Sequence, residues 1–350
     1  MKQKINRLLV GNYAEQYLSM LVTGGGGFLG RYIVEQLLEL GEEVRVLSRQ
    51  RYPELEQLGV ECFQGDLRDK EAVEKAVRGC EVVFHVAAIA GIWGRWPDYY
   101  GINVEGTQNI IAACEAWNVE RLVYCSSPSV TFDGTDQKGV NESAPYPEMW
   151  LAHYPHSKAL AEQMVLAANR PGSLLTCALR PHLIWGPRDQ HLIPRLIQRA
   201  KTGKLRIVGD GKNLVDMVYV ENAASAHIQA AGALLIAPDQ VGGKAYFITQ
   251  GAPVRLWDWI NDILALEGLP PVRKRVSANV AYYAGAMMET AYKMVGRMKE
   301  EPRMTRFLAR QLATHHYFDI SSARHDLQYA PKVSTEEGMR RLGEELASRR

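Results

Sequence analysis

Of the 16 tyrosines in the chain, only Tyr154 is followed four residues later by a lysine, Lys158. On a helix, positions i and i+4 share a face, so both side chains can enter one cleft. A free phenol has a pKa of about 10, too high for efficient proton exchange near neutrality. A nearby ammonium would stabilise the phenolate and lower that value. Such a group could pass a proton to a carbonyl oxygen, or take one from an alcohol, as hydride moves on the adjacent carbon. Upstream, Tyr124-Cys125-Ser126-Ser127-Pro128-Ser129-Val130 follows an apolar run, and a serine hydroxyl there can hold the substrate oxygen. The residues alone leave Ser126 and Ser127 both open, with ordinary turn chemistry as the plain reading of either.

Hydride chemistry needs a nicotinamide, and a second motif offers it a seat. Thr23-Gly24-Gly25-Gly26-Gly27-Phe28-Leu29-Gly30 follows an apolar strand and opens a helix. Gly24, Gly27 and Gly30 would permit the tight turn, the approach of a pyrophosphate and close packing of helix on strand. Phe28 and Leu29 begin the helix whose free N–H groups would receive the phosphates. NAD-preferring enzymes place an acidic residue about 20 positions further on. This chain reads Ser48-Arg49-Gln50-Arg51 there, and Ser48, Arg49 and Arg51 suit a 2′-phosphate. NADP, with NADPH preferred, is therefore the expected cofactor, and NAD is still admitted. Asp66 and Leu67 end the next strand, where a carboxylate can accept from the adenine. Ala87 and Ala88 end the one after, where small residues let the cofactor lie against the sheet.

The elements needed to position these groups can be read from periodicity. Apolar runs at 20–23, 44–47, 60–64, 82–86, 122–126 and 174–179 alternate with helical patterns at 31–40, 70–78, 104–117 and 157–169. That alternation predicts an α/β fold of Rossmann type, a doubly wound parallel sheet with helices on both faces. Beyond Arg180 the pattern loosens. A helix is expected near 192–202, short strands near 205–208, 216–220 and 244–249, a helix near 256–267, and a mostly helical tail at 276–312. The expected division is an N-terminal extension at 1–19, a nicotinamide-dinucleotide domain at 20–179, and a smaller substrate-binding region at 180–350, partly interleaved with the first.

Composition narrows the class. At 350 residues, with 47% hydrophobic and 23% charged residues and a net charge of +2, the chain gives no electrostatic reason to expect nucleic acid. Five cysteines without a C-x-x-C pair suggest a reducing, cytoplasmic setting. The stretch 276–295 is interrupted by Asn279, Glu289, Thr290 and Lys293, short of the roughly 18 apolar residues of a span. It reads as an amphipathic helix that admits a peripheral membrane contact. His153, His156, His315 and His316 lack metal-site spacing, so no metal is expected. Aromatic and thioether side chains (Trp93, Trp96, Tyr99 and Tyr100, then Met149, Trp150 and Trp185, then Tyr282, Tyr283, Met287 and Met288) suggest a pocket for a hydrophobic small molecule.

TGGGGFLG at 23–30, GDL at 65–67, HVAA at 85–88, NVEGTQN at 103–109, YCSSPSV at 124–130, YPHSK at 154–158 and LRPHLIWGP at 179–187 together resemble the extended short-chain dehydrogenases/reductases. Within these the chain is most similar to the 3β-hydroxysteroid dehydrogenase/isomerase family. RYPEL at 51–55, IWGP at 184–187 and EPRMTRFL at 301–308 resemble its bacterial 2-alkyl-3-oxoalkanoate reductases. The resemblance implies Ser127 rather than Ser126 as catalytic serine, with Tyr154 and Lys158 as its partners. It places Asn103 near the lysine, although an asparagine capping the next helix reads equally well, and Pro181 near the nicotinamide. It also implies a lipid 3-keto acid or steroid as substrate and a homodimer paired through helices near 104–117 and 157–169. The chain departs from steroid-acting relatives in lacking an acidic residue near Ser48.

Other functions share this framework. A nucleotide-sugar epimerase would use the same triad but retain NAD through turnover. Sugar dehydratases place acidic residues where Pro128 and Ser129 stand. A non-catalytic NADP-sensing module would have little use for the Tyr154–Lys158 pair.

Overall fold

The chain fold is given by a computed structural model that describes residues 19–349. Seven parallel strands form its centre: β1 (Ser19–Thr23), β2 (Val44–Ser48), β3 (Glu61–Gln64), β4 (Cys80–His85), β5 (Arg121–Cys125), β6 (Leu175–Pro181) and β7 (Ala245–Ile248). Their order is β7-β6-β5-β4-β1-β2-β3. The sheet therefore reverses direction of progression between β1 and β4, the crevice where such folds take their ligands. In register, Thr23 pairs with His85 across that crevice and with Leu47 on the other side. Ser19 already belongs to β1, so the sheet begins one residue inside the expected extension; residues 1–18 lie outside the described ones.

Leu21, Val22, Val46, Val82, Val83, Phe84, Leu122 and Val123 are all at 0% exposure. Both faces of the sheet are covered, so both sets of alternating side chains must be apolar. One face carries α1 (Phe28–Glu39), the other α2 (Lys70–Val77), α3 (Gly106–Ala116) and α4 (His153–Ala167). Further helices are α5 (Leu192–Lys201), α6 (Val220–Ile236), α7 (Leu256–Leu266), α8 (Ala278–Met294), α9 (Arg306–Ala313) and α10 (Thr335–Ser348). Helix α6 shares α1's face and core. Periodicity did not reveal it: nine of its residues are buried and it is apolar almost all round, so it lacks a polar stripe.

A second core, built on Trp185, Tyr219, Trp257 and Trp259, sits among the C-terminal elements. A small sheet joins the two halves, in the order Val254–Arg255, Leu214–Val215, His316–Phe318, Gln137–Val140. His316 pairs there with Gln137. Helix α8 docks through Gly285 and Glu289: an added Cβ at Gly285 would lie 2.6 Å from the Thr305 backbone, and Glu289 accepts from the Arg306 amide at 2.6 Å. Val280, Tyr283, Met287 and Met294 on its other side are exposed. Among the described residues no helix is long and apolar enough to cross a membrane.

Candidate active site

The glycine turn meets the expected geometry. Gly24 takes φ +70°, a conformation L side chains rarely adopt, and an added Cβ there would lie 3.0 Å from the Ala87 backbone. Gly27 caps α1 without a side-chain bond, its own N–H donating to the Gly24 carbonyl at 2.8 Å. The first helical bond runs from Arg31 to the Gly27 carbonyl, so the N–H groups of Phe28, Leu29 and Gly30 have no acceptor among the described residues. No acidic side chain stands in that first turn. A cradle without side chains, facing free donors at a helix N-terminus, fits a dinucleotide diphosphate.

Beneath this cradle a buried relay locks β1, β4 and α3 together. The Thr23 hydroxyl oxygen accepts from the Val86 and Ala87 amides at 3.1 Å each, so its hydrogen goes to His85 Nδ1 at 2.8 Å. Thr107 donates to the Asn103 carbonyl at 2.7 Å, so it accepts from His85 Nε2 at 2.9 Å. Burial, aided by the charge of Lys158, pushes His85 down to about 3, and it stays neutral. Thr23 and His85 lay within quoted motifs, yet this clamp was not legible because its partners lie 62 and 22 residues apart.

At the 2′-phosphate position the three expected side chains differ. The Ser48 hydroxyl donates to the Gln50 carbonyl at 2.7 Å, and Arg51 is held by Glu56 at 2.9 Å. Arg49 is exposed, and its guanidinium has no hydrogen-bonded partner among the described residues. Asp66 is gripped by Arg68 at 2.8 and 2.9 Å, which holds its carboxyl below the usual range. Leu67 is buried against Gly106, and Ala87 packs on Gly24. Ala88 follows it in the loop after β4, exposed.

Helix α4 carries Tyr154 in its first turn and Lys158 one turn later. Lys158 is 2% exposed, donates to the Cys125 carbonyl at 2.6 Å, and sits 4.1 Å from the Tyr124 ring centre. Burial lowers it to about 8. Tyr154 reaches the same end of β5: burial raises its phenol, Cys125 adds to this, and the neighbouring Ser127 hydroxyl works the other way. No hydrogen bond joins Lys158 to Tyr154 among the described residues, so the lowering expected from their spacing is not present in this arrangement. The residues converge, but burial sets the phenol. Ser127 Oγ lies 2.9 Å from Ser129 Oγ, while the Ser126 hydroxyl is buried without a partner among the described residues.

Asn103 does not cap a helix. It lies in a π-helical stretch, Tyr100–Glu105, where its amide oxygen accepts from the Ile89 N–H at 2.8 Å and its nitrogen donates to Ser157 at 2.9 Å. It ties the loop after β4 to the residue beside Lys158. Such π-turns recur at functional sites.

Ser127, Tyr154 and Pro181 line one cavity of about 180 Å³. Two larger clefts, of about 340 and 310 Å³, contain none of the three. Part of the cavity's apolar wall was missed: Phe132 and Phe318 come from short segments without strong periodicity, while Phe307 lies on α9, within the helical tail that periodicity predicts. The expected aromatic pocket is largely corrected. Trp185 is fully buried in the second core against Tyr219 and Trp259, and Met149, Tyr283 and Met287 face solvent. Trp96 and Trp150 instead stack on His156, at 4.6 and 5.2 Å. Trp93 donates to the Arg297 carbonyl at 3.1 Å. His316 is buried and lines the cavity. Among the described residues no group of three potential ligands stands together for a metal.

The chain is 52% identical over 327 residues to 2-alkyl-3-oxoalkanoate reductase from Shewanella oneidensis, covering 92% of this chain and 84% of that protein. It is 36% identical to the human sterol-4-alpha-carboxylate 3-dehydrogenase, decarboxylating, covering 91% and 86%. Among solved structures, UDP-glucose 4-epimerase from Thermus thermophilus in complex with NAD superposes with TM-score 0.70 at 26% identity, covering 94% and 99%. Residues 21–275 match the model of the 3-beta hydroxysteroid dehydrogenase/isomerase family. The chain belongs to that family, within the extended short-chain dehydrogenases/reductases, and is an NAD(P)-dependent oxidoreductase acting on CH–OH groups.

Proposed function

We propose that the protein interconverts a 3-keto and a 3-hydroxy group on a hydrophobic acid of the 2-alkyl-3-oxoalkanoate class, with NADPH as preferred reductant and Tyr154 as proton donor. The observation that carries this reading is the shared cavity. Ser127, Tyr154 and Pro181 line it beside the sheet crevice, with Lys158 buried one helical turn away. Both relatives' names join a carboxylate to a reaction at position 3.

The nicotinamide, when bound, supplies the hydride. Gly24, Gly27 and the free N–H groups of Phe28, Leu29 and Gly30 would hold the diphosphate, and Arg49 with Ser48 the 2′-phosphate. Ser127 donates a hydrogen bond to the substrate carbonyl and fixes it beside the phenol. Tyr154 gives its proton to that oxygen as the carbon is reduced. Lys158 places positive charge near the phenolate left behind, and the Cys125 carbonyl fixes where that charge sits. A phenol raised by burial keeps its proton until the carbonyl oxygen becomes basic, which suits reduction. In the reverse direction the same groups take the proton from an alcohol.

The test is turnover of a long-chain 2-alkyl-3-oxo acid followed at the nicotinamide absorbance. Wild type should consume NADPH, and Tyr154→Phe should lose about 10²- to 10⁴-fold in kcat while still binding cofactor. No turnover of any long-chain 3-oxo or 3-hydroxy substrate by wild type would overturn the reading. Full activity in Tyr154→Phe would remove the phenol's role.

A further inference from the structure

Two buried histidines face the same cavity and take no part in the hydride or proton transfer described above. His182 follows Pro181 at the end of β6, and His316 opens the strand His316–Phe318; they are 7% and 2% exposed. Both line the cavity with Ser127 and Tyr154, and among the described residues its lining includes no Asp, Glu, Lys or Arg. A cavity walled by phenylalanines has little other reason to bury two imidazoles at its side.

Their hydrogen bonds fix where protons lie. His316 Nε2 stands 2.8 Å from the Gln311 carbonyl, which can only accept, so Nε2 carries the hydrogen. A neutral His316 then presents a lone pair at Nδ1, and His182 Nε2, 3.2 Å away, must donate to it. A neutral His182 is left with a bare lone pair at Nδ1. That atom is buried and meets no hydrogen-bond partner in good geometry among the described residues. Burial and then His316 hold His182 well below its ordinary pKa, while the neighbouring Asp216 backbone works the other way. The chain of hydrogen bonds is thus complete except for one proton at His182 Nδ1. A buried polar atom without a partner costs stability, and a ligand that brings the missing group recovers it.

A carboxyl group can satisfy this nitrogen. Drawn as a carboxylic acid donating to the lone pair, or as a carboxylate accepting from an imidazolium, it places one proton between two heavy atoms. We propose that His182, backed by His316 and the Gln311 carbonyl, recognises the carboxyl group of the substrate and selects acids over uncharged ketones and alcohols of the same length. This assignment rests on the reading of the cavity as the site of 3-keto/3-hydroxy chemistry, and it names the part of the wall that reads the acid.

The experiment compares a long-chain 2-alkyl-3-hydroxy acid with its methyl ester, both oxidised with NADP⁺. Wild type should favour the acid in kcat/KM by roughly 10- to 100-fold, the size of one charge-assisted hydrogen bond. His182→Phe should bring the acid-to-ester ratio near one, and His182→Gln, which keeps a hydrogen-bonding amide, should fall between. Equal loss on acid and ester in His182→Phe would overturn the proposal. Should neither variant fold, the wild-type ratio decides, and a ratio near one sinks it. A wild type that oxidises neither compound defeats the functional reading instead. Calorimetric binding of acid and ester to wild type then still tests the histidines: tighter binding of the acid supports them, and equal binding overturns them.

Discussion

Arg49 is the basic side chain after β2 whose donors are uncommitted, because Arg51 is drawn to Glu56 and the Ser48 hydroxyl to the Gln50 carbonyl. Its charge already helps to hold the Asp66 carboxyl low, so it stands on the side of the crevice proposed for the adenosine. A 2′-phosphate there would gain a charge-assisted hydrogen bond, and a 2′-hydroxyl would not. Arg49→Glu should therefore lower the ratio of kcat/KM for NADPH over NADH by roughly 10- to 100-fold, with Arg51→Glu shifting it less. An unchanged ratio would move the discrimination elsewhere. The sequence made the set Ser48, Arg49, Arg51 legible by position and charge. It could not rank them, because ranking depends on which local carboxylate or carbonyl each side chain finds. The same limit applied to Lys158: its spacing from Tyr154 aimed both side chains into one cleft, but the carbonyl that holds its ammonium belongs to Cys125, 33 residues upstream.

For whole elements, legibility followed how much each one announces itself. The strands read well because both faces are covered, which leaves continuous apolar runs. Helix α6 escaped because it is apolar on nearly every side, and Gln137–Val140 and His316–Phe318 because they are short and half polar. Those two strands carry Gln137, His316 and Phe318 to the cavity, so that part of its wall was beyond periodicity. The glycine turn was legible because its demands are local. An added Cβ at Gly30 would lie 2.3 Å from the Gly24 carbonyl oxygen and 2.9 Å from Gly25 Cα, with backbone on both sides and nothing flexible to yield. Gly30→Ala should raise KM for the cofactor at least about tenfold and cost roughly 1–3 kcal/mol of stability. Gly232, inside α6, has nothing within 4 Å of such a Cβ. Gly232→Ala should be neutral or stabilise by up to about 1 kcal/mol, since alanine is the better helix residue. Equal behaviour of the two variants in cofactor titration and thermal melts would mean that the close approach of α1 to β1 is not what the turn protects.

Taken over the whole molecule, the histidines most deeply buried sit where parts of the fold meet: His85 between β1, β4 and α3, His227 on α6, and His182 with His316 between the main sheet and the small one. Burial is the leading cause in each case, holding His85 at about 3, His227 and His316 at about 4, and His182 well below its ordinary value. Above the ordinary histidine value of about 6.5, both folded and unfolded chains leave these rings neutral. As pH falls through 6.5 toward 4, the unfolded chain takes up protons that the folded chain refuses, so stability falls with pH. Asp216 opposes this: raised to about 6 by burial, it binds its proton first in the folded state and adds stability between about 6 and 4. Asp262, raised by burial, works the same way, while burial lowers His153 and His156 as well, so two carboxylates stand against six histidines. Asp66 and Asp326, held low in the fold, lose their contribution only at still lower pH and do not enter this window. The melting temperature should therefore drop by about 5 °C or more between pH 7 and pH 5. Replacing His227 by Leu on α6, away from the cavity, should flatten that slope by about one group's share. A melting temperature that stays level from pH 7 to 5 in wild type would mean that these rings take up their protons within the folded chain. The joints between β1, β4, α6 and the small sheet would then be wetter and looser than their packing indicates.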